Sequence, residues 1–110
     1  MFQLENGIKV LLVDDKNQTS SGHEDAIAQA SIVMNVGSFN DPPHRQGLAH
    51  FVEHMVFMGS KKYKVPDAYS KHMAANGGYA NAYTEFEITN FQFQVQYSAL
   101  EKAFGILVQP

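Results

Sequence analysis

Hydrophobic and polar positions alternate most regularly near the end of the chain. Phe91, Phe93, Val95 and Tyr97 alternate with Gln92, Gln94 and Gln96, the period of two that marks a half-buried strand. "AIAQASIVMNVG" alternates as well. Ala28, Ala30, Ile32, Met34 and Val36 point one way, and Gln29, Ser31 and Asn35 the other. This strand is expected to pair antiparallel with an earlier one, Ile8 to Asp14, which follows an Asn6-Gly7 turn. A further strand, about Tyr79 to Thr84, follows the Gly77-Gly78 pair. Helical spacing predicts a first helix from roughly His44 to Phe57, with Gly59 as its stop. A second runs from Pro66 to Asn76-Gly77-Gly78. A third sets Leu100, Phe104 and Leu107 on one face, behind a capping box of Ser98 and Glu101. The polar stretch Asp15–Asp25 reads as a surface loop.

The predicted order is ββααββα. Neighbouring strands joined by loops give an antiparallel sheet with helices packed on one face, an α+β fold. The chain has 110 residues, enough for one domain, and 45% of them are hydrophobic. A net charge of −3 and the lack of a basic face exclude a nucleic-acid partner. Lys61, Lys62 and Lys64 read as a solvated loop. With no cysteine there is neither a disulfide nor a thiolate metal site. No signal-peptide pattern and no apolar run near the ~20 residues of a membrane span are found. A soluble protein with no membrane partner is expected, with the cytoplasm favoured. The last helix reaches "ILVQP" with no glycine stop or polar tail, so the sequence reads as cut from a longer one.

Three ionisable residues break the apolar pattern of the first helix. In "GLAHFVEHMVFMGS", His50, Glu53 and His54 stand among Leu48, Phe51, Val52, Met55 and Val56. With His50 at zero on a wheel of ~100° per residue, Glu53 falls at about −60° and His54 at about +40°. They share one narrow face, while the apolar residues imply contact with core on more than one side. Burying three polar groups is costly unless they are paired or hold a metal. A polar stripe is the plainer reading of two histidines one turn apart. The added carboxylate, with no cation near it in sequence, favours a metal. Zinc takes neutral imidazole and lowers the pKa of bound water to about 7. A carboxylate beside such a site can accept the water's proton. The chemistry implied is peptide-bond hydrolysis without a covalent intermediate, through the motif His-x-x-Glu-His.

"GLAHFVEHMVFMGSKKY", preceded by "NVGSFNDPP" and followed by "GGYANAYTEFEITNFQFQV", resembles the insulinase (insulysin, pitrilysin and nardilysin) family of zinc metalloendopeptidases. The likeness runs from "LENGIKVLLVDD" to "FGILVQP". It implies that His50 and His54 bind one zinc ion and that Glu53 is the general base. It also implies that Asn81 and Ala82 lie on an edge strand whose backbone pairs with an extended peptide substrate, as in β-strand addition. Read without the family, Asn81-Ala82 is simply strand after a Gly-Gly turn.

The family has a third zinc ligand, a glutamate on a later helix, which would fall beyond Pro110. Glu85 and Glu87, the nearest downstream carboxylates, read as solvated turn residues instead. Residues 1–110 are therefore expected to be the N-terminal portion of an insulinase-type peptidase domain, inactive alone and completed by the remaining domains of a larger peptidase. S-ribosylhomocysteine lyase shares the inverted motif but needs a ligating cysteine. The alternative kept open is a non-catalytic peptide-binding or chamber-forming half-domain, against which the intact motif argues. Leu100, Phe104 and Leu107 are expected to lack partners, which favours self-association of the isolated chain.

Overall fold

The computed structural model describes residues 1–14 and 26–108. The predicted loop Asp15–Asp25 lies outside the described residues. In order, the elements are β1 (Phe2–Gln3), β2 (Lys9–Val10), β3 (Ile27–Met34), α1 (Leu48–Val56), α2 (Ala68–Ala75), β4 (Tyr79–Thr84), β5 (Thr89–Gln96) and α3 (Leu100–Leu107).

β3, β5 and β4 form one antiparallel sheet in that order, so β4 is an edge among the described residues. Directly opposed residues share a face. One face carries Ala28, Ala30 and Ile32 of β3, Val95, Phe93 and Phe91 of β5, and Ala80 and Ala82 of β4. All three helices pack on it. Phe91, Phe93 and Val95 bury against Tyr69 and Met73 of α2 and Ala103, Ile106 and Leu107 of α3. The other face is polar, with Gln29 and Ser31 beside Gln92 and Gln94. The expected α+β architecture is therefore present. Phe57 and Phe93 both lie against the Tyr69 ring, at 5.4 Å and 6.4 Å between centroids. Among the described residues the Tyr69 hydroxyl has no hydrogen-bond partner, and its burial pushes its pKa up to about 12.

Several boundaries and pairings differ from expectation. The first predicted strand shrinks to Lys9–Val10 and pairs with Phe2–Gln3, not with β3. The Asn-Gly turn closes a hairpin on the residues before it: Gly7 sits at φ 89°, and Leu4 N–H donates to Ile8 O at 2.8 Å. β3 instead pairs along its whole length with β5, from Ile27 opposite Gln96 to Met34 opposite Thr89. α1 starts at Leu48 rather than His44, because Gly47, at φ 87°, breaks the helical path. No capping box forms at Ser98 and Glu101. A 3-10 turn at Tyr97–Ala99 leads straight into α3, which has no side-chain cap. The predicted face of α3 holds, and it is covered: Leu107 is buried, and Leu100 and Phe104 pack on the core.

Gly37 joins the segment before α1 to the β4–β5 turn. Ser38 N–H donates to Glu85 O and Phe39 N–H to Phe86 O, and the Phe39 and Phe86 rings stack at 4.9 Å. A Cβ on Gly37 would come within 2.4 Å of Glu85 O and 2.6 Å of the Phe86 carbonyl carbon. Both are backbone atoms that cannot swing aside. Gly37→Ala is expected to lose about 1–3 kcal/mol, read as a fall in denaturant midpoint at unchanged slope. An unshifted midpoint would mean that this junction does not hold the fold.

Candidate metal centre and peptide groove

α1 is held at its start by a side chain from outside the helix. The Asp41 carboxylate accepts Gly47 N–H at 2.7 Å and Ala49 N–H at 2.9 Å. An acid there also complements the helix dipole. This cap fixes the end from which His50 projects. Sequence reasoning missed it, since a cap is sought next to the helix rather than six residues upstream.

The helix lies over β4 and β5 with one side down. Glu53 is only 6% exposed, while Val56 and Phe57 pack partly against the core. His50 and His54 border this side and are exposed. The expectation of core on more than one side fails: Phe51 is 60% and Val52 50% exposed, with Leu48 and Met55 on the same open stripe. A single layer of helices on one sheet buries only the sheet-facing side of α1. The buried ionisable residue is thus the glutamate, and the histidines stand at the rim.

The two imidazoles converge. Their Nε2 atoms are 3.0 Å apart, and a carboxylate oxygen of Glu53 lies with them inside a 4.8 Å cluster. Two nitrogens held at about 2.0–2.1 Å on one tetrahedral zinc stand roughly 3.3 Å apart, close to what is found. Glu53 has no cationic partner among the described residues, where the one ion pair is Lys71–Asp67. The donor set therefore fits a divalent cation with imidazole affinity, which would also supply the positive charge a buried carboxylate needs.

Facing the cluster is β4. His50, Glu53, His54, Phe57 and residues 80–84 line an open groove of ≈ 440 Å³. Asn81 and Ala82 are brought to the same groove as the histidines. Strand parity separates them: Ala82, opposite Phe91, faces the helices, and Asn81, opposite Gln92, faces the polar side. Asn81 thus offers the groove its backbone rather than its amide side chain. Glu85 and Glu87 are exposed between β4 and β5, outside the three-residue cluster. Sequence reasoning also missed Thr84, whose hydroxyl donates to Glu53 Oε2 at 2.7 Å.

The model of the family Insulinase (Peptidase family M16) matches residues 17–109. The chain belongs to the insulinase family. Insulinase relatives include the Arabidopsis thaliana protein "Insulin-degrading enzyme-like 1, peroxisomal", 40% identical over 109 residues and matched by 99% of this chain. A Schizosaccharomyces pombe relative with the words zinc protease in its name is 38% identical over 109 residues, again 99% of this chain. Each match covers 10% of the relative; the chain spans about a tenth of the length of the curated insulinase relatives it resembles. Among solved structures, pitrilysin aligns with a TM-score of 0.65 at 43% identity, over 68% of this chain and 8% of pitrilysin. The chain thus shares its fold with a family of peptidases, and it carries a His-x-x-Glu-His group of its own. Among the described residues, no helix is long and apolar enough to cross a membrane.

Proposed function

We propose that His50, Glu53 and His54 form the zinc site of an endopeptidase acting on oligopeptides, within a longer chain that supplies a third ligand and further domains. The observation that carries this is the convergence of two imidazole nitrogens at 3.0 Å beside a buried carboxylate with no protein cation among the described residues. His50 and His54 hold the ion, one turn apart on α1. Zinc, when bound, polarises the scissile carbonyl and makes water acidic enough to ionise near neutral pH. Glu53 accepts a proton from the attacking water and returns it to the leaving amine. The free edge of β4 at Asn81 and Ala82 pairs with the substrate backbone, which gives affinity with little demand on sequence. Ala82, small and turned toward the helices, leaves room for the peptide beside the histidines.

A non-catalytic, chamber-forming role for this half-domain is the second reading, and the open apolar stripe of α1 suits contact with other domains or a second copy. Retention of a proton acceptor with both imidazoles favours catalysis. The test uses the longer chain and a quenched oligopeptide. Hydrolysis is expected to vanish on chelation and return with added zinc, and the 110 residues alone to show none. Turnover that survives chelation would contradict the zinc reading.

A further inference from the structure

We propose that Thr84 is a positioning residue for this hydrolysis, its hydroxyl fixing the rotation of the Glu53 carboxylate; this rests on the reading of Glu53 as general base. The Oγ1–Oε2 separation of 2.7 Å is that of a charge-assisted O–H···O⁻ bond. Thr84 reaches Glu53 because it ends the inward row of β4 after Ala80 and Ala82, opposite Thr89.

The hydroxyl has one proton, and its destination is determined by its neighbours. Thr89 Oγ1 lies 3.5 Å from Thr84 Oγ1, too long to compete. The proton of Thr89 is itself given to Val36 O at 2.8 Å. Thr84 is therefore left to donate to the carboxylate. Its β-branched side chain has restricted χ1 freedom, whereas the terminal torsion of a glutamate is broad. The stiff partner thus orients the loose one. One short strand then does two things: its edge backbone at Asn81 and Ala82 faces the peptide, and Thr84 holds the base.

The experiment compares Thr84→Val and Thr84→Ser in the longer chain, with kcat, KM, zinc content and melting temperature measured on each. Valine keeps the shape and deletes the donor. It is expected to lower kcat roughly tenfold to a hundredfold, with KM and zinc content unchanged. Serine keeps the donor and is expected to recover most of the loss. Glu53→Gln is measured beside them and is expected to be inactive with zinc still bound. Full kcat in Thr84→Val would overturn the proposal. So would a serine variant as impaired as the valine one, or zinc lost with the hydroxyl. The Glu53→Gln arm separates the two readings. If that variant hydrolyses peptide as well as the wild type, the assignment of Glu53 fails and the role of Thr84 falls with it. If Glu53→Gln is inactive and Thr84→Val is not, only the Thr84 proposal fails.

Discussion

Glu53→Gln in the longer chain is expected to abolish peptide hydrolysis while zinc stays bound. Glutamine matches glutamate in shape, so the buried site beneath α1 keeps its packing. The Thr84 hydroxyl, 2.7 Å from Glu53 Oε2, can donate to an amide oxygen as it does to a carboxylate. What disappears is the ability to take a proton from water. General base catalysis contributes about 10²–10⁴-fold, so residual turnover should fall by at least that range, to the edge of detection. Metal content and turnover must be read on the same preparation. Zinc lost together with activity would make Glu53 a ligand and remove it as the base.

The histidines should behave in the opposite way. His54→Ala is expected to lose zinc and activity together. A bound ion would lose one of its two imidazoles from α1, and the cost in affinity should exceed the about 10–100-fold typical of losing a residue that merely supports a ligand. His54 is exposed and fills no core space, so folding stability should change by less than about 0.5 kcal/mol. That small change separates a metal effect from unfolding. His50→Ala should match it. Zinc retained by either alanine variant at wild-type affinity would place the ion elsewhere.

Legibility in the sequence followed the strength of each local pattern. β5 was readable because alternation persists from Phe91 to Tyr97, and β4 because Gly77-Gly78 marks its start. The shared face of His50, Glu53 and His54 follows from helix geometry alone, and the structure brings the three within one cluster. Patterns whose meaning depends on distant neighbours were not readable. Leu48, Phe51, Val52 and Met55 look like core residues. They form an open stripe instead, because burial depends on what packs outside the helix. Asn6-Gly7 announces a turn without saying which side pairs with which, so β2 was assigned to β3 rather than to β1. Asp41 caps α1 across a Pro42-Pro43 detour that no local rule anticipates. Thr84 could have been singled out by parity, two residues beyond Ala82 on the same face. Its partner appears only once α1 is known to cross β4.

The central claim is that His50 and His54 hold one zinc ion and Glu53 stands beside it without binding. Anomalous diffraction at the zinc edge, from crystals of the zinc-loaded longer chain, tests this most directly. The predicted result is one anomalous peak at about 2.0–2.1 Å from a ring nitrogen of each histidine, with both Glu53 oxygens outside that shell. A peak at any other site, or a Glu53 oxygen within the about 2.0–2.2 Å of a carboxylate ligand, would contradict it.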